Sequence, residues 1–128
     1  MKIILDTNFL IYCAKNKLDY AEELSNLLNE DYQLVVPKQV INELEKLKND
    51  KIKKVSGKDK DACSLALQLL KVNNVDIVDL ESKNVDNAII KLSKEDSKNI
   101  VCTLDREMRK KLPRVILISR MGKLILTR

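Results

Sequence analysis

One stretch constrains this chain more than any other. In Lys2-Ile3-Ile4-Leu5-Asp6, an apolar run without alternation ends on one acid, and a second apolar segment starts almost at once. A continuous β-branched and aliphatic run suits a strand covered on both faces, as in a parallel sheet. Asp6 then stands at the strand's carboxyl end, the edge at which open parallel α/β sheets bind ligands. Thr7 or Asn8 can cap the helix that follows through a side-chain oxygen. Taken alone, Asp6 needs no larger role than turn and cap.

The rest of the chain alternates in the same way. Residues 8–13 begin a helix that Ala21, Leu24, Leu27 and Leu28 continue at helical spacing. Residues 33–36 read as a second buried strand, stopped by Pro37, whose fixed φ and missing donor suit the first turn of a helix. That helix runs to about Lys48 on a stripe of Val40, Ile41, Leu44 and Leu47, flanked by Glu43 on one side and Glu45 on the other. Geometry alone does not choose between these acids. Residues 49–60 are polar and lysine-rich and read as a loop. Asp59 or Asp61 can cap the next helix, whose apolar face is Ala62, Leu65, Ala66, Leu69 and Leu70. Residues 75–80 form a third strand. Ser82 or Asn84 opens a helix with Asp86 in its first turn, where the helix dipole by itself favours an acid. Residues 99–104 are a fourth strand, ended by Asp105. A basic helix over 106–112 stops at Pro113, residues 115–119 make a fifth strand, and residues 121–128 add an edge strand or hairpin. The pattern predicts an α/β fold, a three-layer α/β/α sandwich on a mainly parallel, roughly five-stranded sheet.

With 128 residues, the expectation is a single domain over 1–128 with a core that needs no disulfide or structural metal. Cys13, Cys63 and Cys102 form no CxxC pair and read as buried thiols in a reducing compartment. No apolar run reaches the roughly 20 residues of a membrane span, and Met1 leads straight into a strand, so the expected location is cytoplasmic, with no membrane partner. The chain has no histidine, which excludes Ser-His and Cys-His nucleophile systems, HExxH metalloproteases and Cys/His zinc sites. Catalysis is left to carboxylates, lysines, hydroxyls or thiols, and carboxylates with a hard metal ion are the economical choice.

Asp6 and Asp105 directly follow buried strands, and Glu43 and Asp86 lie in or near first helical turns that can face the same edge. Such a cluster suits Mg²⁺ or Mn²⁺, where one or two carboxylates, waters and substrate phosphate oxygens complete an octahedron at about 2.0–2.1 Å. Two such ions serve an in-line phosphodiester displacement. Residues 106–128 carry eight Lys/Arg against the single acid Glu107, and residues 46–60 carry seven lysines against Asp50 and Asp59. Basic surface around acidic strand ends fits a polyanionic substrate. With one Phe, three Tyr and no Trp, aromatic base stacking of the RRM or OB type is excluded as the main binding mode.

Asp6-Thr7-Asn8 with Leu10, Val36-Pro37 leading to Val40 and Glu43-Leu44, Val85-Asp86 with Ile89, and Thr103-Leu104-Asp105-Arg106 together resemble the successive motifs of PIN-domain ribonucleases. The resemblance spans essentially the whole chain. It implies Asp6, Glu43, Asp86 and Asp105 as catalytic and metal-holding acids, selecting Glu43 over Glu45, with Thr7, Asn8 and Thr103 in support. It also implies Mg²⁺- or Mn²⁺-dependent cleavage of single-stranded RNA that leaves a 5′-phosphate and a 3′-hydroxyl. Leu104 departs from the family, in which many members carry a polar residue, usually Asn, at that place. The basic segment, with Arg106, Arg109, Lys110 and Lys111 as RNA contacts, and the strand and Met121-Gly122-Lys123 that follow, look closer to archaeal and eukaryotic ribosomal-RNA-processing members than to toxins. The expected function is an endoribonuclease of rRNA or other RNA processing. The alternatives are a toxin ribonuclease with an antitoxin, or a catalytically weak RNA-binding module in a ribonucleoprotein. The resemblance also implies a possible homodimer.

Overall fold

In the computed structural model, residues 1–51 and 54–127 are described. The apolar runs become the centre of the sheet: β1 (Lys2–Leu5), β2 (Gln33–Pro37) and β4 (Ile100–Cys102). Ile3, Ile4, Leu5, Val35, Val36, Ile100, Val101 and Cys102 are all 0% exposed, so neither face of these strands meets water. Each aliphatic side chain buried this fully contributes about 1.5–3 kcal/mol. With β3 (Asp76–Val78), β5 (Val115–Ile118) and β6 (Leu124–Thr127), the sheet has the order β3-β2-β1-β4-β5-β6. All neighbours are parallel except the final β5–β6 pair.

The helices are α1 (Thr7–Lys15), α2 (Tyr20–Leu27), α3 (Lys38–Lys48), α4 (Gly57–Val72), α5 (Val85–Lys94) and α6 (Arg106–Arg109). α5 packs on β1, β2 and β4, while α1 and α3 both pack on α4. The chain steps outward from β1 to β3 and then crosses to β4 on the other side of β1. Right-handed crossovers send the helices of the two halves to opposite faces, which gives three layers. The reversal falls between the neighbours β1 and β4, the kind of switch point at which open α/β sheets bind ligands beyond the strand ends. Buried Asn99 locks the far end: its Oδ1 accepts the Lys2 N–H (2.9 Å) and its Nδ2 donates to the Leu92 carbonyl (2.9 Å). β1 and α5 are thereby held in a fixed relation.

Several boundaries differ from the sequence expectation, each for a local reason. The expected edge strand after Gly122 makes the sheet six-stranded: the chain turns back after Ser119, whose Oγ accepts the Met121 and Lys123 N–H groups, with Gly122 at φ +76. The first helical stretch is two helices. Lys17 takes a left-handed conformation (φ +53), the Leu18 N–H reaches back to the Cys13 carbonyl, and Asp19 caps α2. Pro37 is the last residue of β2, not part of the first turn of α3. β3 covers only Asp76–Val78 because its register ends opposite Pro37, which has no N–H to continue the ladder. β4 is likewise shorter than expected: the Asn99 N–H closes a turn onto the Asp96 carbonyl, while past Cys102 the Thr103 N–H still reaches the Ile116 carbonyl of β5. Residues 57–60 are helical, since Ser56 rather than Asp59 or Asp61 caps α4 through the Asp59 N–H (3.1 Å). The expected loop over 49–60 also includes residues 52 and 53, which lie outside the described residues. α6 ends at Arg109 because Lys111 and Leu112 donate to carbonyls three residues back, and Pro113 cannot donate at all.

The cap assignment is testable by chemical denaturation. Ser56→Ala should cost about 1 kcal/mol, whereas Asp61→Ala should change stability by less than about 0.5 kcal/mol. The reverse ranking would return the cap to Asp61.

Candidate active site

The carboxyl ends of β1 and β4 lie side by side, so the residues just beyond them meet. The Asp6 N–H extends the ladder to the Cys102 carbonyl (3.1 Å), and its carbonyl accepts the Leu10 N–H to start α1. Its side chain is 4% exposed. Oδ1 accepts the Thr7 N–H at 2.7 Å, and Oδ2 accepts the Thr103 hydroxyl at 2.7 Å. Thr103, fully buried, in turn accepts the Asp105 N–H on Oγ1 at 3.0 Å. A continuous hydrogen-bonded path therefore joins Asp6 to the backbone of Asp105. The carboxylate of Asp105 caps α6, its Oδ1 accepting the N–H groups of Glu107 (2.9 Å) and Met108 (3.3 Å).

Two further acids act on Asp6 through space. Burial pushes its carboxyl up from 3.8 to about 6, against the lowering effect of the Thr103 and Thr7 hydrogen bonds, and the negative charges of Asp86 and Glu43 push the same way. Asp86 is exposed in the first turn of α5, which Asn84 opens by accepting the Asn87 N–H (2.9 Å). Glu43 is half-buried on α3. Glu45 lines a separate groove with Ser64 and Gln68 of α4, so the two acids that periodicity could not rank face different surroundings. Asn8 is exposed beside Asp6, whereas Thr7 is buried and its Oγ1 has no hydrogen-bond partner. Arg106, Arg109, Lys110 and Lys111 are all exposed on and just after α6.

Gln39, which sequence reasoning missed, lies one turn before Glu43. Its Nε2 donates to the carbonyls of Leu80 (2.6 Å) and Ser82 (3.4 Å), which fastens α3 to the loop that delivers Asp86. Lys91 holds the same loop through the Glu81 carbonyl at 2.7 Å. A glutamine on a helix carries no motif, so only the fold exposes this clasp.

The donor set suits a hard cation. It is all oxygen, it includes a buried carboxylate with anionic neighbours, and it has an orphaned hydroxyl at Thr7. Among the described residues, no three acids converge closely enough to enclose an ion by themselves. A Mg²⁺-type ion does not require such a cage, because it keeps several waters and takes one or two carboxylates plus substrate phosphate. Asp6, Glu43, Asp86 and Asp105 are the residues that can share it.

A family described as PIN like domain matches residues 3–119. The chain is 39% identical over 111 residues to Ribonuclease VapC4 of Methanocaldococcus jannaschii, spanning 87% of this chain and 82% of that protein. Among solved structures, the PIN domain endonuclease Utp24 superposes with a TM-score of 0.78 at 21% identity, covering 99% of this chain and 91% of the other. VapBC2 from Rickettsia felis, bound to a DNA fragment from their promoter, superposes at 0.55 with 13% identity, over 91% and 98% of the two chains. These two likenesses are of fold.

The Asp6 environment has a pH signature. A carboxyl whose folded value lies near 6 keeps its proton in the native state while the unfolded chain loses it above about 3.8, so stability falls as pH rises through that window. The metal-free protein should lose about 2 kcal/mol between pH 4 and 7 from this group, and Asp6→Asn should flatten the decline. Thr103→Val should lower stability at pH 7 by about 1–3 kcal/mol and move the decline to higher pH. Unchanged pH profiles in urea melts would contradict the assigned environment.

Proposed function

The chain belongs to the PIN-like domain family, and from that premise we propose that it is a divalent-metal-dependent endoribonuclease acting on single-stranded RNA. The observation that carries this reading is the Asp6–Thr103–Asp105 path across the switch point, with Glu43 and Asp86 acting on the same buried carboxylate. Mg²⁺ or Mn²⁺ held among these acids supplies Lewis acidity at the scissile phosphate. The chain's own residues do the rest. Thr103 and the Thr7 N–H hold the Asp6 carboxylate in one orientation, with its remaining lone pairs free to bind a cation. Asp105 is fixed by its cap to α6 and Asp86 by the capped start of α5, so both are anchored by backbone rather than by mobile loops. The Gln39 clasp sets the spacing between the helices that carry Glu43 and Asp86. Arg106, Arg109, Lys110 and Lys111 contact RNA phosphates beside the cut.

The biological role that we propose is processing of ribosomal or other RNA in the cytoplasm. It is supported by the basic segment from 106 followed by β5 and β6. The relation to Ribonuclease VapC4 favours a second reading, a toxin ribonuclease with an antitoxin partner. A homodimer is compatible with either reading, and a ribonucleoprotein partner belongs to the remaining alternative, a catalytically weak RNA-binding module. Sequencing the 5′ ends of RNAs cut in vivo separates the two: one recurrent ribosomal position supports processing, and release of activity only when a neighbouring small gene is deleted supports the toxin.

Asp105→Asn should abolish Mn²⁺-dependent cleavage of single-stranded RNA while leaving the thermal midpoint close to wild type, because an amide oxygen can still cap α6. Thr103→Val should reduce cleavage by about 10–100-fold. Full activity in Asp105→Asn would remove Asp105 from the candidate site.

A further inference from the structure

Beside the acids lies a groove of about 730 Å³ between α6 and β5. Its floor is apolar, with Leu104, Leu117 and Ile118, and Arg106, Arg109 and Lys110 stand along it. The register fixes its position relative to the acids. Cys102 pairs with Ile116, and the Thr103 N–H donates to the Ile116 carbonyl at 3.3 Å, so Leu117 and Ile118 stand one and two steps further, level with Thr103 and Leu104. The groove, which Leu112 and Val115 also line, thus runs from beside Val101 to the sheet edge of Asp6 and Asp105, and Leu104 sits between Thr103, which links the acids, and Asp105. Among the described residues Arg106 and Arg109 make no ion pair, and Lys110 makes only an exposed one with Glu107 at 3.4 Å. Their charge is available to a polyanion.

We propose that this groove seats one unpaired nucleoside of the RNA strand next to the scissile phosphate. This rests on the nuclease reading and extends it to how the substrate is chosen. An aliphatic floor gains nothing from phosphate, which leaves the base as the part of the strand that fits it, and a base reaches such a floor only when it is splayed out of a helix. The flanking phosphates then meet the cations at the rim, and an Arg guanidinium plane can cover the base where this chain has no aromatic to offer. The volume lies within the roughly 300–1,000 Å³ of small-ligand clefts. The groove makes single-strandedness a requirement of shape, because a paired base cannot enter. It also gives a role to Leu104, whose apolar side chain forms part of that floor.

The test uses the full chain with single-stranded oligoribonucleotides that carry one photoreactive thiouridine, moved along the sequence. One position, or two adjacent ones, at a constant distance from the cut should cross-link to peptides within residues 104–118. In parallel, Leu117→Trp, which fills the groove, should abolish that cross-link and weaken RNA binding about tenfold, and replacing the base at the same position with an abasic site should weaken binding to the wild type by a similar factor. Cross-links elsewhere, or abasic substitution without effect at every position, overturn the groove proposal. An acidic protein segment as the true occupant gives that same negative result. Cleavage without cross-linking in the groove defeats this proposal alone; cross-linking there without cleavage defeats the nuclease reading alone; no RNA binding defeats both.

Discussion

The contact on which the candidate site depends is the 2.7 Å hydrogen bond from Thr103 to the buried carboxylate of Asp6. It spans the junction of the two halves of the sheet, where β1 and β4 lie parallel although most of the chain separates them. A carboxylate buried this deeply is costly to ionise, and the two hydrogen bonds offset only part of that cost. Apolar strands on both sides keep water out, and the neighbouring acids add repulsion. The native fold therefore keeps an unfavourable charge at Asp6, which on the proposed reading a bound cation would relieve. Stability and function conflict at Asp6, and the surrounding core compensates.

Everything else around that contact supplies anchoring. Asn99 fixes β1 against α5 at the far end of the sheet, and Gln39 fixes α3 against the loop that precedes α5. The helix bearing Asp86 is thus tied at both ends and the helix bearing Glu43 at its start, while Asp105 is held by the turn that it caps. Networks of this kind over-determine side-chain positions, which a multidentate site requires.

What could be read from the chain follows from which interactions are local. β1, β2 and β4 were legible because a strand buried on both faces must be written as an unbroken apolar run, and Asp6 and Asp105 stand where those runs stop. α4 was legible as a helix, but its start was not: Ser56 competes with Asp59 and Asp61, and only backbone geometry selects among three adequate caps. The overrun at α6 has a similar source, since tightening to bonds three residues apart leaves no mark on composition. Glu43 and Glu45 flank the same stripe symmetrically, so the choice between them depends on where β1 lies, which is a long-range fact. Gln39 had no signal at all, because its partners are carbonyls more than forty residues away.

The separation of 97 residues between Asp6 and Thr103 has a bearing on synthesis. A ribosome releases the first strand and its acid early, but the strand that receives them emerges only after most of the chain has been made. Non-local pairing of this sort forms late, because the loop it closes is long. Until β4 docks, Asp6 has neither its hydroxyl partner nor the neighbouring Asp105, and the emerging polypeptide lacks the pocket that would bind a cation. On the proposed reading, a nuclease made beside the RNA of its own ribosome brings its candidate acids together only once the sheet has closed around them.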